Sequence, residues 1–164
     1  MIYFLSGEVN SGKTALLSCW VEEFQRKNRR ACGILAPPVW VQGRKIAYNL
    51  VDVYTGESKT WATTTPVNDA EKWGRFWFPR DAIHFGENAL NRIDNSCDIG
   101  ILDEVGPLEL ENRGWAFPLK AVLARFPKNM IIVVRADLVK PVSNFFGVES
   151  YHVLTLDASL PVLD

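Results

Sequence analysis

Two short stretches of this 164-residue chain hold residue types able to do chemistry on a phosphate. The first, Gly7-Glu8-Val9-Asn10-Ser11-Gly12-Lys13-Thr14, fits the template G-x-x-x-x-G-K-S/T at every fixed position. In that template the glycines let backbone N–H groups close around an anion. Lys13 brings a cation to the phosphates, and the Thr14 hydroxyl suits a hard divalent cation. Chance supplies such a match in roughly one in a few hundred chains of this length at average residue frequencies. The flanking residues therefore decide. Met1 to Ser6 is an apolar, aromatic-rich run that reads as a buried strand. Beyond Gly12, residues Leu16, Leu17, Trp20, Val21 and Phe24 recur at helical spacing. Strand, glycine loop and helix thus come in the order a phosphate loop, or Walker A motif, requires, and backbone N–H groups from about Asn10 to Thr14 are expected to surround the phosphate.

The second stretch is Ile99 to Leu110, "IGILDEVGPLEL". Asp103 ends an apolar strand, as a Walker B acid does when it helps hold Mg²⁺, and it is expected to do so together with Thr14 and through water. Glu104 follows directly, placed to accept a proton from, or to orient, a water attacking a γ-phosphate. By themselves these acids fit a polar strand end better than a site; the phosphate loop tips the reading to chemistry. Asp103-Glu104-Val105-Gly106 also satisfies D-x-x-G, the γ-phosphate sensor of GTPase switches. The guanine-reading N-K-x-D of such switches would fall at Val134-Arg135-Ala136-Asp137, where Asn and Lys are missing.

These residues need a scaffold, and the length points to a single domain over 1–164 with its own core. The formal net charge of −1 and the pI of 6.1 offer no general attraction to nucleic acid or to an acidic membrane. The basic run Arg26 to Arg30 sits at the end of the first helix, where cations complement the dipole. Cys19, Cys32 and Cys97 are too widely separated to indicate a disulfide framework or a zinc site and read as small core residues; His84 and His152 are isolated. No apolar run approaches the ~20 residues of a membrane span, and a strand beginning at Met1 leaves no room for a signal peptide, so a reducing cytoplasm is expected.

Along the chain, Ala31 to Ala36 reads as a second buried strand stopped by Pro37-Pro38. Residues 44–64 alternate and turn at Thr55 to Ser58, the pattern of an inserted antiparallel β-hairpin. Lys72 to Pro79 reads as an aromatic loop or edge strand, and Asp81 as the cap of a helix running to about Asn95. A strand over Asp98 to Asp103, a helix over Trp115 to Arg125, a strand over Met130 to Val134, a short helix near 138–146 and a strand over Tyr151 to Leu156 follow. Strands alternating with helices predict an α/β fold, a mostly parallel sheet with helices on both faces.

Taken together, "GEVNSGKT", "GRKIAYNLVDVYTGESKTWA", "KWGRFWFPRDAIHFGENAL" and "DEVGPLEL" resemble, over nearly the whole chain, the small nucleoside-triphosphatase family known from thermophiles, which includes the cancer-related nucleoside-triphosphatase of animals. The resemblance implies a RecA-like P-loop fold with an inserted hairpin and Mg²⁺-dependent hydrolysis of several nucleoside triphosphates, among them ATP, GTP, CTP and UTP. It also implies that Lys13 and Thr14 are the Walker A lysine and magnesium-binding hydroxyl, Asp103 the Walker B acid and Glu104 the catalytic acid beside it. Its glycine-arginine-aromatic element falls on Gly74-Arg75-Phe76, which makes Arg75 the candidate charge-stabilising arginine, with Arg44, Arg113 and Arg135 as rivals. The chain departs from the family in having Val105 for the more usual Ile and Leu108-Glu109 for a Met-Glu pair.

Hydrolysis is the first reading. A small-molecule or nucleoside kinase using the same loop is the second, with Glu104 as base toward an acceptor hydroxyl, and a non-enzymatic nucleotide switch is the third. Trp40, Trp61, Trp73 and Trp77 are candidates to stack on a base, although packing is the commoner use of each.

Overall fold

The computed structural model describes residues 1–126 and 128–161, so residue 127 and residues 162–164 of the expected domain lie outside the described residues. In chain order the elements are β1 (Ile2–Gly7), α1 (Lys13–Arg26), β2 (Ala31–Leu35), β3 (Pro38–Val41), β4 (Arg44–Asp52), β5 (Ser58–Thr63), β6 (Ala70–Trp73) and β7 (Phe76–Pro79). Then come α2 (Arg80–Asn91), β8 (Ile99–Val105), α3 (Pro107–Leu110), α4 (Ala116–Arg125), β9 (Asn129–Arg135), a 3₁₀ turn (Ala136–Leu138), α5 (Val139–Phe146) and β10 (Tyr151–Leu154).

All sixteen elements organise around one ten-stranded sheet in the order β10-β1-β9-β8-β2-β4-β5-β7-β6, with β3 beside β4. From β10 to β2 every pairing is parallel. From β2 outward through β4, β5, β7 and β6 every pairing is antiparallel. The antiparallel part is therefore larger than a single hairpin: β4 and β5 form its centre, and Lys72 to Pro79 folds into a second hairpin, β6–β7, turning at Gly74 in the left-handed region (φ 57°).

Period-two alternation sends successive side chains to opposite faces. On β9, Met130, Ile132 and Val134 join α2, α4 and α5 residues such as Leu90, Leu119 and Val142 on one face. Ile131 and Val133 meet Leu17, Trp20, Val21 and Phe24 of α1 on the other. Phe24 is buried in the second of these layers, and truncating it to Ala would cost about 3–5 kcal/mol.

Several sequence expectations need correction. β2 stops at Leu35, before Pro37-Pro38, as expected, but an unexpected strand follows: β3 begins at Pro38, which pairs with Tyr48 as the first residue of a strand, where a missing N–H is tolerated. The Pro37 carbonyl accepts from the Asn49 N–H at 2.9 Å, so the bend keeps its contact with β4. Asp81 does not cap α2. The N-cap is Pro79, in extended conformation, and Asp81 sits in the first turn, where its carboxylate meets Lys59 at 2.6 Å. That helix ends at Asn91 and the final strand at Leu154, each earlier than the sequence predicts. Cys32 and Cys97, both fully buried with Cα atoms 6.2 Å apart, are joined by a disulfide, while Cys19 is exposed rather than a core residue.

Candidate active site

The phosphate loop and the acid pair meet where β1 and β8 end on the same side of the parallel sheet, with β9 between them. This is the usual place for a ligand in such folds, outside the carboxyl ends of the strands.

Gly7 ends β1, and the loop turns through two left-handed residues, Asn10 (φ 60°) and Gly12 (φ 97°). Gly12 is the N-cap of α1 and offers no side-chain cap, so the first-turn N–H groups of this 14-residue helix are unclaimed by any capping side chain. Such an end attracts anions through its donors and its dipole. Lys13 is buried, and its ammonium donates to the Gly7 and Glu8 carbonyls at 3.0 and 2.5 Å and to Ser11 Oγ at 3.5 Å. The lysine is thereby held at the mouth of its own loop. Val9, by contrast, is 60% exposed and presents only its backbone to the loop.

Asp103 is fully buried. Its Oδ2 accepts from the Ala36 N–H at 3.0 Å, just past β2, and its Oδ1 has no partner among the described residues. Burial pushes its pKa up to about 7, assisted by the neighbouring Glu104 charge and opposed by the Ala36 N–H and the Thr14 hydroxyl. A buried carboxylate oxygen left unpartnered beside a threonine hydroxyl is a hard-oxygen donor set that suits Mg²⁺, which keeps waters and substrate oxygens for its other positions. No cluster of three or more His, Cys, Asp or Glu able to cage a metal occurs among the described residues.

Glu104 owes its position to the backbone. It has φ 62°, in the left-handed region, and the β8–β9 register shifts between Leu102 and Val105. A non-glycine residue in that region is costly, typically ~1–3 kcal/mol, and such outliers gather at functional sites. The bulge turns the Glu104 side chain out of the sheet into the cleft, where solvent reaches it through the mouth although protein atoms crowd around it. That crowding raises its pKa, and the charges of Lys45 and Lys13 pull it back down.

Lys45 was not singled out by its sequence, since a lysine in an alternating hairpin reads as a solvated surface residue. In the fold its ammonium donates to Asn10 Oδ1 at 2.6 Å and to the Tyr48 hydroxyl at 2.8 Å, and it lies 5.2 Å from the centre of the Trp40 ring. Burial lowers its pKa, the Glu104 charge raises it, and Arg75 and Lys13 lower it further. Burial pushes the Tyr48 phenol up to about 12. Loop residues Asn10 to Thr14, Pro37, Trp40, Lys45, Tyr48 and Glu104 together line a cleft of about 310 Å³.

Among the arginines, Arg75 stands at the turn of β6–β7 with its guanidinium 4.9 Å from the Phe76 ring, close enough for its charge to act on Lys45. Arg113 is engaged by Glu71 at 3.3 Å and Arg135 by Asp137 at 2.5 Å; Arg44 is exposed at the start of β4. Of the tryptophans, Trp40 is 49% exposed and faces the cleft, Trp61 stacks on buried Trp115 at 4.4 Å, Trp77 lies under Lys72 at 5.5 Å, and Trp73 lines a neighbouring pocket.

Fold and site together define an α/β P-loop protein whose loop strand and acid strand are separated by one intervening strand, the RecA-like arrangement. The chain belongs to the NTPase family, whose model matches residues 2–158. It is 31% identical over 107 residues to the nucleoside-triphosphatase THEP1 of Ignicoccus hospitalis, covering 65% of this chain and 60% of that protein. It is 30% identical over 109 residues to the protein of the same name from Saccharolobus solfataricus, covering 66% and 61%. The chain thus spans about three fifths of the length of these curated relatives. In fold it is similar to the crystal structure of THEP1 from Aquifex aeolicus, with a TM-score of 0.73 at 17% identity over 95% of this chain and 90% of that one. It is likewise similar to the solution structure of a human cancer-related nucleoside triphosphatase, with a TM-score of 0.70 at 18% identity over 96% and 89%.

Proposed function

We propose that this chain hydrolyses nucleoside 5′-triphosphates to the diphosphate and phosphate, with Mg²⁺ and with broad tolerance of the base. The observation that carries this reading is Glu104, turned into the cleft by a strained bulge and facing two ammonium groups, Lys13 and Lys45. The relatives' names as nucleoside-triphosphatases support the same reaction.

In this reading the loop N–H groups from Asn10 to Thr14 and the start of α1 hold the β-phosphate, and Lys13 leaves its loop carbonyls for the β- and γ-phosphate oxygens. Thr14 and, through water, Asp103 would hold a Mg²⁺ ion, which would supply positive charge against the charge that develops on the phosphates. Glu104 orients a water and takes its proton as the water oxygen attacks the γ-phosphorus. Lys45 shares with Arg75 the task of stabilising charge on the γ-phosphoryl oxygens, and Lys45 is the better placed of the two because it already touches the loop. Trp40 offers an aromatic face at the cleft, and stacking on it accepts any base. No helix of the described residues is long and apolar enough to cross a membrane. Neither nucleic acid nor a membrane is needed as a partner.

Phosphate release from ATP, GTP, CTP and UTP, measured with and without Mg²⁺ and with no added acceptor, tests the reading. Metal-dependent release from all four supports it; nucleotide binding without release contradicts it and favours a passive switch.

A further inference from the structure

A second pocket, of about 160 Å³, lies on the other side of Glu104 from the phosphate loop. Tyr48, Trp61, Trp73, Phe76 and Phe78 form its walls, and the segment from Gly106 to Glu109 closes it. We propose that this pocket binds a single-ring aromatic or heteroaromatic alcohol and that the γ-phosphoryl group of the bound nucleotide is transferred to that hydroxyl. The proposal rests on the nucleotide-hydrolysing reading of the neighbouring cleft and adds a second substrate to it.

The walls pack against one another. Tyr48 and Phe76 meet edge to face with centroids 5.5 Å apart, Trp61 and Phe78 do so at 4.9 Å, and Trp61 is backed by the fully buried Trp115. The aromatic residues come from β4, β5, β6 and β7, so the antiparallel extension of the sheet exists on this side of the site as a continuous aromatic surface. An enclosed apolar cavity of about 150 Å³ accommodates benzene, so this open pocket of similar volume has room for a single ring. It is also larger and less polar than a water needs, since a held water requires two to four polar partners.

Its polar groups narrow the ligand further. Glu109 is buried, and both its oxygens are already taken: Oε2 accepts from the Gly106 N–H at 2.8 Å and Oε1 from the Trp115 N–H at 3.0 Å. That leaves Glu104 as the carboxylate able to receive a ligand hydroxyl. Glu104 and Tyr48 line both this pocket and the phosphate cleft, whereas no residue from Asn10 to Thr14 lines this one. Lys13 in such a loop reaches the β- and γ-phosphates, so the space beyond Glu104 opens on the γ end of the nucleotide, away from its base.

The transfer balances without any further reactant. The acceptor hydroxyl oxygen attacks the γ-phosphorus and forms the new P–O bond, while its proton passes to Glu104. The bond from the γ-phosphorus to the β,γ-bridging oxygen breaks, and that oxygen leaves with the electron pair on the nucleoside diphosphate. The products are a phosphate monoester and the diphosphate. With the pocket free of an alcohol, water takes the same place and the outcome is hydrolysis.

The test incubates the full chain with γ-labelled ATP and Mg²⁺, alone and with millimolar benzyl alcohol, 2-phenylethanol or pyridine-3-methanol, and resolves labelled ester from labelled phosphate. The expected result is an ester of at least one of these alcohols, formed at the expense of free phosphate, with Trp73→Ala lowering the ester-to-phosphate ratio about 2–10-fold, the range one aromatic contact spans. Hydrolysis with no ester from any of the three overturns the acceptor site and leaves the hydrolase standing; slower phosphate release without ester shows that the ring binds and overturns the transfer. An ester whose ratio ignores both Trp73→Ala and Phe78→Leu overturns the location. Failure of hydrolysis and transfer alike, with the chain folded, removes the underlying reading of the cleft as well.

Discussion

The Lys45 ammonium donates to the Asn10 side-chain oxygen at 2.6 Å, which ties the antiparallel extension of the sheet directly to the phosphate loop. The two residues belong to segments separated in sequence by α1 and β2 and brought together because β3 and β4 fold back past the Pro37 bend. A cation is thereby delivered opposite Lys13, with Glu104 in the field of both.

Lys45 should accordingly matter to turnover more than its place in a hairpin implies. Lys45→Met keeps the stem and removes the charge; hydrolysis at saturating nucleotide is expected to fall about 10²-fold, the scale of losing one preorganised charge-stabilising donor. Steady-state kinetics of Lys45→Met beside Arg75→Ala decide between the two cations. An unchanged rate in Lys45→Met with a large loss in Arg75→Ala would assign the role to Arg75.

Glu109 makes the stability pH-dependent. Burial raises its pKa from 4.5 to about 7, against the opposing pull of the Trp115 and Gly106 N–H groups. Because the folded value lies above the unfolded one, its contribution is fully present below about pH 4.5 and is lost as pH rises through about 7. Denaturant unfolding from pH 4.5 to 8 should show that falling component, and Glu109→Ala should remove it. The same substitution unpairs the buried Trp115 N–H, at a cost of about 1–3 kcal/mol near pH 7. A Glu109→Ala protein as stable as the wild type would contradict the role.

The Cys32–Cys97 disulfide closes a loop of 65 residues, and chain-entropy arguments put the stabilisation from such a closure at about 4 kcal/mol. Thiol titration of the denatured, unreduced chain should find one free thiol, Cys19, and Cys97→Ser should lower the midpoint of unfolding. Three free thiols would show the pair to be reduced and would contradict the bridge.

What the sequence made legible was whatever depends on local order. "GEVNSGKT" announced the loop because strand, glycines, lysine and helix are contiguous, and "ILDE" announced the acid strand because an apolar run ends in carboxylates. The parallel half of the sheet followed from strands alternating with helices. Features set by distant pairings were hidden. The strand β3 lay behind a Pro-Pro pair that normally stops a ladder, and its edge position removed the penalty. Lys45 and Tyr48 sat in an ordinary alternating pattern, and only the fold-back of β4 places them over the loop. Cys32 and Cys97 gave no spacing signal because Cys97, in the loop that precedes β8, meets Cys32 of β2 across 65 residues of chain. The bulge at Glu104 left no mark either, since no glycine stands where φ is positive.

The most direct measurement is single-turnover hydrolysis, beside nucleotide binding, for the wild type, Glu104→Gln and Asp103→Asn. Glu104→Gln keeps the shape and removes the proton acceptor, so affinity should hold while the rate falls by about 10²–10⁴. Asp103→Asn should lose rate and also require more Mg²⁺, because a neutral amide is a poorer ligand for a hard cation. Hydrolysis by Glu104→Gln at the wild-type rate would contradict the assignment of Glu104 as the base that activates water.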